Sequence, residues 1–175
     1  MEPSSNNVFI RSAIESDVAA FRELRLEALR NHPESFGADY ERDAAAPETH
    51  WRERLTGGID SPTGIIHFAV SDQRLVGMAG VYRKASPKEQ HYATIWGVYV
   101  RPDWRGLRIA EAMIAACVAW AQTEKLRLVK IAAVATNAAA IRCYLRCGFT
   151  VYGVDPEGIH YNGIYYDELL MARRL

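Results

Sequence analysis

The sequence predicts a mixed α/β (α+β) fold, with strands meeting in one central sheet flanked by helices. Three observations predict it. Runs of β-branched and aromatic residues alternate along the chain with apolar residues at helical spacing. The longest strand-like run, Tyr92 to Val100, passes through a short loop directly into a strongly periodic helix. Two further strand-like runs close the chain, and no repeat, low-complexity tract or interdomain linker interrupts the order. At 175 residues the chain is long enough for an ordinary core and short enough to be one domain, 1–175.

Each element has its local reason. Residues 1–6 are expected to fray, and Val8 to Ser12 read as a first strand. Ser16 and Asp17 suit a helix start. Val18, Phe21, Leu24, Arg25, Ala28 and Leu29 then share one helical face, and Asn31-His-Pro33 ends the helix. Residues 32–47 have no clear period. Pro47 to Leu55 form a short helix with Trp51 and Leu55 inward, stopped by Gly57-Gly58. Ile65 to Val70 and Leu75 to Arg83 are strands around a turn at Ser71-Asp-Gln-Arg74. Ile95, Trp96, Val98, Tyr99 and Val100 suit a half-buried pleated surface, and Pro102 ends their strand. A helix over 106–123 buries Ile109, Met113, Ile114, Cys117 and Ala121. Leu128 to Ala135 form a strand, Asn137 opens a helix ending near Cys147-Gly148, and Phe149 to Val154 and Ile164 to Met171 pair as closing strands.

Composition excludes several classes. Lys plus Arg and Asp plus Glu number 21 each, so there is no basic surplus for nucleic acid. With 49% hydrophobic residues the chain is not disordered. Cys117, Cys143 and Cys147 form no Cys-x-x-Cys pair and read as small buried hydrophobes, so neither metal nor disulfide is expected. No stretch approaches the ~20 apolar residues of a membrane span, and a cytoplasmic protein is expected.

One stretch carries chemistry. In Trp96-Gly-Val-Tyr-Val-Arg-Pro-Asp-Trp-Arg-Gly-Leu-Arg-Ile-Ala110 a strand leads through a Gly-containing basic loop to a helix start. The first N–H groups of a helix lack intrahelical partners and carry the positive end of its dipole. Gly106 admits close backbone approach, and Arg105 and Arg108 add charge suited to phosphate oxygens. The chemistry fits a phosphate or pyrophosphate. The same residues would also serve a plain packing unit, and local features leave both readings open.

This stretch resembles the acetyl-CoA signature of the GNAT family of N-acetyltransferases, whose loop reads Gln/Arg-x-x-Gly-x-Gly/Ala. Arg105 and Ala110 fit, while Arg108 stands where glycine is usual. Asn137-Ala-Ala-Ala-Ile-Arg-Cys-Tyr-Leu-Arg-Cys-Gly-Phe149 resembles the family's Asn-x-x-Ala…Tyr…Gly-Phe segment. The resemblance implies a GNAT-like fold with a mostly antiparallel sheet. It implies acetyl transfer from acetyl-CoA to an amine by direct attack, with a small-molecule or protein amine as acceptor and a possible homodimer. A CoA-binding module that has lost turnover is the alternative.

The resemblance also assigns residues. Backbone groups of Val98, Tyr99 and Val100 would meet the pantetheine arm where the strand splays, with Gly97 permitting a bulge. Arg105, Gly106, Leu107, Arg108, Ile109 and Ala110 would hold the pyrophosphate. Asn137 and Ala140 would contact the arm, and Tyr144 would protonate the leaving sulfur. Residues 32–47 would help wall the acceptor site. Arg108 is expected in the first helical turn, with negative φ. A lysine-like ammonium acceptor must lose a proton, its pKa being about 10.4. His91 and Glu89, just before the key strand, are the candidate bases, ahead of His67, Glu27, Asp39 and Tyr40; a water chain would serve without any signature.

Overall fold

The six apolar-face positions expected of the first helix, Val18, Phe21, Leu24, Arg25, Ala28 and Leu29, are the six that helix α1 (Val18–Asn31) buries. This helix packs on a sheet in the computed structural model, which describes residues 7–57 and 63–175. The expected frayed segment 1–6 and the stop at Gly58 lie outside the described residues. The other elements are β1 (Phe9–Ser12), α2 (Tyr40–Ala44), α3 (Glu48–Thr56), β2 (Gly64–Ser71), β3 (Arg74–Arg83), β4 (Tyr92–Val100), α4 (Ile109–Thr123), β5 (Leu128–Val134), α5 (Ala138–Arg146), β6 (Thr150–Tyr161) and β7 (Ile164–Arg174).

The strands make a seven-stranded sheet in the order β1-β2-β3-β4-β5-β7-β6. Every neighbouring pair is antiparallel except β4 and β5, which run parallel. Helices α4 and α5 cover one face, where Met113, Ile114 and Cys117 meet Ala79, Val81, Ile95 and Val129. Helices α1 and α3 cover the other, where Phe21, Leu24, Trp51 and Leu55 meet Phe68 and Met78. Each such fully buried aliphatic or aromatic side chain contributes roughly 1.5–3 kcal/mol.

Three local expectations change. Helix α4 begins at Ile109, not 106, because Pro102–Trp104 form a 3-10 turn and residues 105–108 are irregular. Residues 32–47 hold a 3-10 turn (Pro33–Ser35) and the five-residue α2, too short to show a period. Asp39 caps α2, accepting from the Arg42 N–H at 2.8 Å. The closing strands run on to a hairpin turn at Asn162-Gly163, with φ of 50° and 77° at those residues. No helix among the described residues is long and apolar enough to cross a membrane.

Candidate active site

The site begins where the sheet fails to close. Strand β4 pairs with β5 only over Tyr92–Thr94, against Leu128–Lys130. Beyond that the strands separate, leaving the facing edges of Ile95–Val100 and Ile131–Val134 without each other. A cavity of about 770 Å³ opens there. Ile95–Val100 of β4, Ile131–Val134 of β5, the loop after β4, α5 and residues 32 and 34–36 line it.

Strand β4 also bulges, at the glycine that permits it. Tyr99 pairs with Met78 and Trp96 with Gly80, so Gly97 and Val98 together oppose Ala79. Gly97 has φ of 65°, a conformation costly for any residue with a Cβ. One extra residue reverses the alternation of faces. Ile95, Val98 and Val100 join the α4 layer, whereas Trp96 and Tyr99, three residues apart, both join the α1 layer. Trp96 fits only because Gly80 lies opposite: a Cβ there would come within 2.3 Å of the indole.

The loop at 105–110 departs from expectation at Arg108. This residue is the N-cap of α4 and has φ 57° and ψ 24°, the left-handed region, rather than a helical conformation. The reason for a glycine at this position is therefore backbone geometry, since the chain must turn through positive φ at both Gly106 and Arg108 before α4 can start. Arg105, Gly106, Arg108, Ile109 and Ala110 line the cavity. Leu107 does not, and is 54% exposed. Arg105 is tied back to the strand end: Nε donates to the Val100 carbonyl at 3.0 Å, Nη2 lies 2.9 Å from His32 Nε2, and the guanidinium sits 5.7 Å over the Tyr99 ring. The Val100 carbonyl, expected to be free, thus already has a partner.

Helix α5 is fixed at both ends by the residues of its motif. Asn137 caps it, accepting from the Ala140 N–H at 3.1 Å. At the other end the Phe149 N–H donates to Tyr144 O and the Gly148 N–H to Leu145 O, both at 3.0 Å. This is a Schellman termination, and it requires the φ of 84° that Gly148 adopts. It carries Phe149 back onto Tyr144, with ring centroids 6.5 Å apart. Tyr144 is thereby held in the cavity wall with Asn137 and Ala140. Burial pushes its hydroxyl pKa up, so it stays protonated.

The candidate bases do not gather here. Glu89 and His91 precede β4 at the end away from the bulge, about 20 Å along the strand from Gly97. Neither lines the cavity. Glu89 bonds Lys84 Nζ at 2.7 Å and the Tyr92 hydroxyl at 3.0 Å, and the Lys84 bond holds its carboxyl below the usual range. His67 is buried on β2, outside the cavity, and burial lowers its pKa. Glu27 accepts from Tyr99 and Arg101. Asp39 caps α2, and Tyr40 accepts from Arg30 at 2.7 Å. Of the imidazole and carboxylate groups in the cavity lining, His32 has its ring 6.1 Å from Tyr99 and lies 3.8 Å from Glu34, and Glu111 on α4 is bonded to Arg146. Residues 32–47 were expected at the acceptor wall, but nothing in the sequence singled out His32 and Glu34: a His and a Glu beside a helix-ending proline carry no spacing signal. No cluster of potential metal ligands exists among the described residues.

The model of the Acetyltransferase (GNAT) family matches residues 20–149. The chain is 28% identical over 173 residues to the L-amino acid N-acetyltransferase AaaT of Escherichia coli, covering 96% of this chain and 98% of that one. Among solved structures, an acetyltransferase of the GNAT family from Streptococcus pneumoniae superposes with a TM-score of 0.85 at 18% identity, covering 97% of this chain and 99% of that chain. YncA, a putative acetyltransferase from Salmonella typhimurium with its cofactor acetyl-CoA, gives 0.81 at 20% identity over 97% and 94%.

Proposed function

The chain belongs to the acetyltransferase (GNAT) family and is an acetyl-CoA-dependent N-acetyltransferase, and from that premise we propose that, as one domain, it acetylates the α-amine of a free amino acid by direct attack in a ternary complex. The observation that carries this reading is the continuous cavity: it runs from the start of α4, along the open edge of β4, to the bulge at Gly97. The similarity to an L-amino acid N-acetyltransferase supports the acceptor class.

The residues fit acetyl-CoA as a substrate. The N-terminus of α4, with Arg108 beside it, offers N–H groups and positive charge for the pyrophosphate. The separated edges of β4 and β5 offer unpaired backbone groups to the amide-bearing arm. Arg105 acts chiefly by holding the Val100 end of the strand in place. At the bulge, a backbone N–H of Gly97 or Val98 stabilises the charge that grows on the carbonyl oxygen as the amine lone pair attacks. The carbon–sulfur bond then breaks, and Tyr144 gives its proton to the departing thiolate. Burial keeps that proton on the hydroxyl at neutral pH, and because a thiol of pKa about 8.5 is already a good leaving group, the donation assists only moderately. The proton shed by the amine passes to water, and Tyr144 regains its own from solvent.

The test is thiol release from acetyl-CoA across a panel of free amino acids, small amines and peptides, with CoA binding measured alongside. Preferential turnover of amino acids is expected. CoA binding without turnover of any acceptor would instead identify a non-catalytic module.

A further inference from the structure

On the α1 side of the bulge lies a cation that the fold does not neutralise. Arg25 is 4% exposed, and its Nε and Nη1 are buried without any hydrogen-bond partner. Its guanidinium lies 4.8 Å from the centre of the Phe36 ring and 5.8 Å from that of Trp96. Both rings line the reaction cavity, whereas Arg25 itself is not in its wall. A Cβ built on Gly97 would be 3.5 Å from Arg25 Nη1, so the guanidinium abuts the bulge itself. A second guanidinium, Arg54, lies 5.3 Å from the Trp96 ring.

The nearest buried carboxylate is already engaged. Asp43 bonds Arg54 at 3.2 Å and Arg42 at 3.2 Å, and no bond joins it to Arg25. Burying a charge with its donors unpaired is costly, and natural folds pair such groups or use them. Burial, then repulsion from Arg54, lowers the Arg25 pKa to about 10, with Asp43 opposing. The group therefore remains cationic at neutral pH. Aromatic faces offset part of the cost but accept no hydrogen bonds.

We propose that Arg25 is the binding site for the carboxylate of the acceptor. A carboxylate would meet Nη1, the donor that the fold leaves unpaired beside the bulge, in a charge-assisted hydrogen bond. Position then sets the acceptor class. With the carboxylate beside Gly97, an amine one carbon away reaches the bulge where the thioester carbonyl is held. An amine at the end of a longer chain overshoots it. The acceptor is thus an α-amino acid with a free carboxylate, and Trp96 and Phe36 give it an apolar, aromatic flank. This assignment rests on the acetyltransferase reading above and adds the residue that selects the substrate.

The experiment compares kcat/KM for α-amino acids with that for their methyl esters, in wild type, Arg25→Lys and Arg25→Met. Wild type should prefer the free acids by about 10- to 100-fold, the range of one charge-assisted hydrogen bond. Arg25→Met should abolish that preference, leave ester turnover and the KM for acetyl-CoA near wild type, and Arg25→Lys should restore part of it. Equal turnover of acids and esters by wild type overturns the assignment without touching the acetyltransferase reading, and needs no variant to fold. Equal loss on acids and esters in Arg25→Met, with an unchanged melting temperature, overturns it as well. Turnover of no amine at all overturns both.

Discussion

Arg108→Gly separates the two things that Arg108 does. Its φ of 57° places an arginine in the left-handed region. That conformation costs a residue with a Cβ about 1–2 kcal/mol. Glycine removes this cost but adds freedom to the unfolded chain, worth about 0.4–1 kcal/mol in the other direction. The net is a stabilisation of roughly 0.5–1 kcal/mol. For a domain of this size 1 kcal/mol moves Tm by about 2–4 °C, so the ligand-free variant should melt roughly 1–4 °C higher. The side chain has the opposite effect on the substrate. It is exposed and lines the cavity beside the start of α4, so its loss removes one screened charge, worth about 0.2–1 kcal/mol. CoA should bind up to about fivefold more weakly at low salt, with a shallower salt dependence. Thermal melting without ligand and calorimetric titration with CoA at two salt concentrations read both effects. Arg108→Ala is the control: it keeps the backbone cost and loses the charge, so only CoA binding should change. A lower Tm in ligand-free Arg108→Gly would refute the strain argument. Tighter CoA binding at low salt would show that the arginine obstructs the site.

Three further outcomes are expected. Tyr144→Phe keeps the ring against Phe149 and removes the proton donor; kcat should fall by up to roughly 10²-fold at near-normal CoA affinity, and a wild-type kcat with chemistry rate-limiting would make Tyr144 a packing residue only. Gly80→Ala drives a methyl into the Trp96 indole, an overpacking cost of about 1–3 kcal/mol; the acceptor KM should rise with CoA binding unchanged, whereas an unaltered acceptor KM would separate Trp96 from the acceptor. Asp17 is buried, which alone would raise its pKa, but Arg11 at 2.7 Å and the Ile14 N–H at 2.9 Å outweigh burial and lower it. A depressed folded-state pKa gives stability that is present above the unfolded value, near 3.9, and is lost as pH falls through the folded value. The Tm difference between wild type and Asp17→Asn should therefore be full at neutral pH and shrink below about pH 4; a difference independent of pH would contradict this.

The chain's local signals determined its elements, because caps, breakers and periodicity act within a few residues. The buried face of α1 follows from 3.6-residue spacing alone. The Asn137 cap and the Gly148-Phe149 stop follow from backbone donors and acceptors that any helix end must satisfy. They hold Tyr144 in the cavity wall.

What the tertiary structure decided is everything that depends on a partner far along the chain. Sequence spacing put Glu89 and His91 next to the key strand, but a strand is long, and they lie at its other end. Helical spacing put Arg25 on a buried face without saying whether a carboxylate meets it; only the packing of α2 and α3 shows Asp43 committed to Arg42 and Arg54. The conformation of Arg108 depends on how the strand end and α4 must be joined, which no local preference of arginine encodes. Trp96 and Tyr99 would face opposite ways in a regular strand. They share a face because one extra residue at Gly97 must be absorbed against β3, and that register exists only once the sheet has formed.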